Sequence, residues 1–214
     1  KRRAIRTDRH TMASIVMSYP VPRSAITTDQ EKAKLAQWEK RNFDWLREQY
    51  GDQLRVVLAH DDEAHPHLHA WLLPDDPGAD ATTLHPGKVA KKLIEAKAKA
   101  DGVENREAVK MGNRALKQAM TVWQDEYHAS VGMHEGLTRS GPKRRRLSRE
   151  QWQAEKATAN ANSAALERAA EAEKATEIAI NNRKREEDRA EKIRLKADAV
   201  GAAIKALSDE VEGG

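Results

Sequence analysis

The sequence predicts an α+β domain followed by a long C-terminal helix, and three observations carry that prediction. Short β-forming runs bounded by proline, glycine and acidic turns recur early in the chain. Amphipathic runs with helix-capping signatures follow them, and residues 148–210 are rich in Ala, Glu, Lys and Arg with no proline.

The chain opens with a basic arm, Lys1, Arg2, Arg3, Arg6 and Arg9 against Asp8. Ala13-Ser14-Ile15-Val16-Met17-Ser18-Tyr19 is β-forming and stopped by Pro20 and Pro22, so it reads as a strand. Thr28-Asp29-Gln30-Glu31 has capping-box spacing. Leu35, Trp38, Trp45 and Leu46 then share one helical face with Phe43 at its margin, which predicts a helix over about 29–50 that Gly51 can stop.

Leu54–His60 is the next strand and His67–Leu73 the third. The acidic turn Asp61-Asp62-Glu63 with Pro66 joins them into a hairpin. Asp75–Gly87, with Pro77-Gly78 and Pro86-Gly87, reads as an exposed loop. Helices are expected over about 88–100 and 104–131, the second with Val109, Leu116, Met120, Trp123 and Tyr127 as a core-facing stripe. A glycine-punctuated basic connector ends at Arg146, and Ser148 with Gln151 forms a second capping box opening the final helix. Its apolar residues, Leu166, Ile178, Ile180, Ile193, Leu195, Val200, Ile204 and Leu207, keep no clean heptad, so a coiled coil and a lone solvated helix both fit. The domain reading is therefore a folded unit over 1–147 and a long charged helix over 148–214.

At 214 residues the chain suits one medium-sized domain plus an appendage. No run approaches the roughly 18 to 20 apolar residues of a membrane span and no signal peptide opens the chain, so a cytoplasmic protein is expected. The absence of cysteine excludes disulfides and thiolate metal sites, leaving imidazole and carboxylate for any metal chemistry. Residues 1–147 carry 26 Lys/Arg against 20 Asp/Glu and the remainder 12 against 14, so the basic excess lies with the folded part and suits a polyanionic partner. Because the chain begins at Lys1 rather than Met and ends in Gly213-Gly214, it reads as an excised or processed segment.

Four of the eight histidines fall within ten residues, in His60-Asp61-Asp62-Glu63-Ala64-His65-Pro66-His67-Leu68-His69. Side chains alternate along a strand, so His67 and His69 project from one side of the sheet. If the flanking strands pair antiparallel, His60 arrives opposite them as a third imidazole. Three neutral imidazoles leave coordination positions open, as a catalytic site requires, and suit several borderline divalent ions. The rival reading is a surface hairpin with merely polar histidines.

This run resembles the signature of the Mob/Pre family, the MobV-type plasmid relaxases, His-x-Asp-Glu-x-x-Pro-His-x-His, with every defined position matched. Asp125-Glu126-Tyr127-His128, Val131-Gly132 and Gly136-Leu137-Thr138-Arg139 resemble a later family segment, so the likeness spans roughly residues 9–146. It implies a histidine-hydrophobe-histidine (HUH) endonuclease fold, an antiparallel sheet flanked by helices, that nicks one strand at a plasmid origin of transfer and keeps the 5′ phosphate covalently. It also implies His60, His67 and His69 as ligands of Mn²⁺ or Mg²⁺, Glu63 as the residue that activates the nucleophile, and Asp62 as a carboxylate orienting a ligand imidazole. A turn-capping role for Asp62 fits the residues equally.

The family's nucleophile is a histidine in a His-x-x-Arg motif, which this sequence lacks and which is expected upstream. His10 is not assigned that role, and Tyr19 is an alternative because other relaxases use tyrosine. DNA contacts are expected from Arg6, Arg9, Arg23, Lys88, Lys91, Lys92, Arg139 and the cluster Lys143, Arg144, Arg145 and Arg146. His85 is expected to take no part, and His65 to point away from the ion. Partners on this reading are plasmid DNA, a second copy through the C-terminal helix, and a coupling protein of the transfer machinery. The alternatives are a related rolling-circle initiator or transposase nuclease, and a non-enzymatic helical interaction protein whose hairpin binds metal structurally.

Overall fold

The computed structural model describes residues 9–75, 77–139 and 146–212, with side chains as far as residue 202. Arg6, Lys143, Arg144 and Arg145 lie outside the described residues. The fold is α+β. Its elements are β1 (Ala13–Ser18), α1 (Asp29–Tyr50), β2 (Leu54–His60), β3 (His67–Leu72), α2 (Pro86–Ala100), α3 (Asn105–Ser130) and α4 (Arg149–Glu212), with single 3-10 turns between several of them.

The three strands form an antiparallel sheet in the order β1-β3-β2. The hairpin expected from residues 54–73 is therefore one half of the sheet, and β1 closes the other side of β3. Leu68, Ala70 and Leu72 of β3 face inward and are buried, opposite Met17, Ile15 and Ala13 of β1. On β2 an irregularity falls between Leu54 and Val56, where two steps along β2 match one along β3. The extra residue, Arg55, lets both Leu54 and Val57 face the core although they are three apart, a separation that would otherwise place them on opposite faces.

Against the inner face lies α1. Its capping box forms as predicted, the Thr28 hydroxyl accepting from the Glu31 amide while the Glu31 carboxylate accepts from the Thr28 amide. The helix stops at Gly51, whose φ of 51° suits a residue without Cβ. Trp38, Trp45 and Leu46 are buried and Phe43 is exposed, as the helical spacing required. Trp45 meets Trp123 and Tyr127 of α3 edge-on, with centroids 5.1 and 5.0 Å apart, and Trp38 packs on Tyr19 at 5.2 Å. Such pairs contribute about 0.5 to 1.5 kcal/mol each beyond area burial.

The predicted stripe on α3 divides in two. Trp123 and Tyr127 reach the central core, whereas Leu116 and Met120 pack around Gly87 of α2, and the fully buried residues of α3 are Ala108 and Gly112. A Cβ on Gly112 would stand 2.5 Å from Glu95 Cγ, so the glycine permits the close α2–α3 approach. The segment 75–87 is more ordered in form than a plain loop: Ala81–Leu84 makes a 3-10 turn that buries Ala81 and Leu84. Ser148 and Gln151 cap α4 reciprocally.

The chain divides into two compact units, Lys1–Ser163 and Ala164–Gly214, the second made of the rest of α4. In the described part of that unit Ile178, Ile180, Ile193, Leu195 and Val200 are exposed. No helix among the described residues is long and apolar enough to cross a membrane.

Candidate metal centre

Strand pairing decides which histidines meet. His60 is the direct cross-strand partner of His67, and His69 lies two residues further along β3, opposite Leu58. Directly opposed residues of an antiparallel pair share a face, so all three imidazoles emerge from the outer face of the sheet. Their ring centroids form a nearly equilateral triangle with sides of 5.1, 4.9 and 5.0 Å.

That triangle has the size a shared ion requires. Imidazole nitrogens about 2.1 Å from an ion put each ring centre about 3.2 Å from it, so at coordination angles of about 90° to 110° the ring centres lie about 4.5 to 5.3 Å apart. As the side chains stand, no three His, Asp or Glu residues among the described ones form a ready coordination set. The rings are gathered at that separation, while their nitrogens do not converge on one point as they stand. The donor set of three imidazoles without thiolate fits a borderline divalent ion.

The partners on the other ring nitrogens favour one ligand atom. His67 Nδ1 lies 3.2 Å from the His65 carbonyl oxygen. A carbonyl only accepts, so Nδ1 carries the proton and Nε2 keeps the lone pair. Glu63 Oε2 stands 4.0 Å from the same Nδ1, and Asp62 Oδ1 stands 3.9 Å from His60 Nδ1. The two carboxylates thus accompany two of the three imidazoles, Asp62 with His60 and Glu63 with His67, on the side away from the triangle's shared centre if Nε2 binds. Both are largely exposed.

His65 turns elsewhere: its Nδ1 donates to the Tyr19 carbonyl at 3.0 Å, and the neighbouring backbone pairs Tyr19 N–H with Pro66 C=O and Arg23 N–H with Ala64 C=O. These bonds pin the 61–66 turn to the chain leaving β1. Tyr19 itself is 4% exposed and packed on Trp38. A nucleophile must reach a polymer in solvent, so Tyr19 is removed from consideration. His85 caps α2, its Nδ1 accepting from the Lys88 amide.

Of the described basic residues expected to meet DNA, Arg23 stands nearest the histidine turn and the others have partners or positions elsewhere. Arg23 is half-exposed and lies 3.7 Å from Asp61, beside the histidine turn. Arg9 donates to the Gly78 carbonyl, and Arg139 is held by Asp125 at 2.6 Å and by Gln124. Lys88 is exposed at the start of α2, while Lys91 is engaged by Asn113. Glu39 of α1 joins the charged flank near the turn: partial burial first, and the Asp61 charge second, push its carboxyl above the usual range.

Sequence reasoning missed Glu39, the buried Asn42 and the apolar surroundings of the histidines. Asn42 falls four residues after Trp38 on the buried stripe of α1, where a polar residue is itself a signal. Val16 and Leu58 flank His69 in register, a placement that needed the order of the strands. A separate cavity of about 350 Å³ is bounded by His128, Met133, Leu137, Arg139, Glu155 and Asn162. It contains none of the triangle, and its lining is largely apolar.

No curated protein and no solved structure matches the chain. The family model for the plasmid recombination enzyme, Mob/Pre, matches residues 1–151. That match spans the sheet, the histidine turn, α1 to α3 and the start of α4, and the chain belongs to the Mob/Pre plasmid recombination enzyme family.

Proposed function

We propose that the chain is the nicking domain of a plasmid mobilisation relaxase of the HUH type, which cleaves one strand at an origin of transfer with Mn²⁺ or Mg²⁺. The observation that carries this reading is the 5 Å triangle of His60, His67 and His69 on an open sheet face, in a family that acts on plasmid DNA. The reaction is a transesterification. A nucleophile attacks phosphorus, the bond to the 3′ oxygen breaks and leaves a 3′ hydroxyl, and the 5′ phosphate stays on the enzyme.

When bound, the divalent ion supplies charge that polarises the scissile phosphate. The chain's own residues do the rest. His60, His67 and His69 hold the ion through neutral nitrogens. Asp62 and Glu63, 3.9 and 4.0 Å from two Nδ1 atoms, bias ring orientation through their charge, and the family resemblance assigns Glu63 the further role of taking a proton from the attacking group. Arg23 offers a positive charge next to the turn, and Arg9, Lys88, Arg139 and the basic run Lys143-Arg144-Arg145-Arg146 are the further cationic candidates for phosphate contact. The attacking group is not assigned among the described residues; the sequence contains no His-x-x-Arg motif. Such an enzyme would work in the cytoplasm, where its plasmid resides.

The test is relaxation of a supercoiled plasmid carrying a candidate transfer origin, by the full-length protein. Site-specific nicking that requires Mn²⁺ or Mg²⁺ and disappears in His67→Ala is the expected result. DNA binding without cleavage by the full-length protein would remove the enzymatic reading and leave a metal-binding interaction protein. A cleavage site at a replication origin would instead favour a rolling-circle initiator.

A further inference from the structure

The face that carries the histidines also carries an apolar surface that ion binding leaves unexplained. In register across the three strands, Val16, His69 and Leu58 form one row and Ser14, Trp71 and Val56 the next. Val16 is 56% exposed, Val56 48% and Leu58 46%. Trp71 is half-buried among them, its ring 6.0 Å from that of His69 and inclined to it by 35°. The chain has five tryptophans. Trp38 and Trp45 are core residues, Trp123 packs on Trp45 and Trp152 lies on α4, so Trp71 alone stands on this face.

We propose that Trp71 is a stacking residue, which with Val56 and Leu58 seats an unpaired base of a single DNA strand beside the histidine triangle. The proposal rests on the reading that this face acts on DNA, and it adds how the strand is held there. Its basis is complementarity. A single strand offers an anionic backbone and flat apolar bases, and the face offers a cation-holding triangle and, one row away on the same strand, a half-buried aromatic among exposed aliphatic neighbours. A duplex hides its bases and could use only the first half. Ser14, the cross-strand neighbour of Trp71 on β1, is a short side chain. Stacking on an aromatic tolerates any base, so Trp71 serves to hold the strand in register with the ion, and sequence choice rests elsewhere.

The experiment measures binding of the full chain to labelled oligothymidylate, and to an abasic strand of the same length, in the presence of a chelator. The parent is expected to prefer oligothymidylate. Trp71→Ala is expected to weaken that binding about 5- to 150-fold, the range that alanine substitution of stacking aromatics covers, with little change for the abasic strand. Trp71→Phe keeps a π-face and is expected to retain most of the preference, which a purely structural role would not predict. Equal binding of both strands by the parent, or oligothymidylate binding that Trp71→Ala leaves unaltered, overturns the proposal. So does a face covered by a second copy, seen as a dimer that Trp71→Ala disperses. Because no ion is present, failure here leaves the metal and nicking reading intact. Conversely, a base preference dependent on Trp71 stands even if the full-length protein never cleaves.

Discussion

His67 is the least exposed of the three clustered imidazoles, and the bond it donates to the His65 carbonyl sets which nitrogen is free. On this geometry His67→Ala should lower affinity for Mn²⁺ at least about 100-fold, while Asp62→Ala and Glu63→Ala, which touch only the far side of a ring, should each lower it about 10- to 100-fold. His65→Ala should leave it unchanged, because that ring is bound to Tyr19. Isothermal titration of the four variants checks this, and equal loss in His65→Ala and His67→Ala would dissolve the triangle. The three histidines were legible beforehand because a period of two is rigid: once 67 and 69 are on a strand, they share a face. His60 needed only the hairpin. Trp71 was not legible as a surface residue, since Leu72 beside it is equally apolar and only the sheet order says which side is covered.

Helix signals are local, and at the scale of single elements they read well. Thr28→Ala removes one half of the α1 capping box and should cost about 1 kcal/mol in denaturant unfolding. Four hydrogen bonds from Thr27 and Thr28, the backbone ones largest, hold the Glu31 carboxyl down at about 2 from 4.5. Depressed in the folded state, this carboxylate contributes stability that is present above about 4.5 and lost as pH falls towards about 2. Glu31→Gln should therefore flatten the acid limb of the stability curve, and an unchanged acid limb would show that the cap does not act through charge. Contacts between elements were less legible. The Tyr127 hydroxyl donates to Asn42 Oδ1 at 2.9 Å, and Asn42 Nδ2 donates to the Trp38 carbonyl, tying α3 to α1 through a buried amide. Burial, and then the Glu135 charge, raise the Tyr127 phenol to about 12, so it donates throughout the neutral range. Tyr127→Phe orphans a buried acceptor and should cost about 1 to 3 kcal/mol; a loss below about 0.5 kcal/mol would mean that water replaces the hydroxyl. Nothing in either helix alone announces this pairing, because the residues lie 85 positions apart.

For the molecule as a whole, the question is what α4 does beyond Ser163. Every core residue among the described ones lies between Ala13 and Val131, within the first unit. A version ending at Ser163 should therefore keep its unfolding free energy to within about 0.5 kcal/mol and keep its Mn²⁺ affinity, while losing helical circular dichroism in proportion to the residues removed. Composition had suggested dimerisation through this helix, and the described side chains bear on it. At about 100° per residue, Ile178, Ile193 and Val200 fall on one side of α4 while Ile180 and Leu195 fall on nearly the opposite side. All five are about three-fifths exposed. A two-stranded coiled coil needs one continuous apolar seam, and between Ile180 and Ile193 the chain runs Asn181-Asn182-Arg183-Lys184-Arg185-Glu186-Glu187-Asp188-Arg189, which would interrupt any seam for more than two turns. The same oligomeric state is therefore expected for the full chain and for the version ending at Ser163. Sedimentation equilibrium over a range of concentrations decides it: a dimer of the full chain that dissociates on removal of residues 164–214 would show that the two short apolar groups suffice to pair α4 with a second copy.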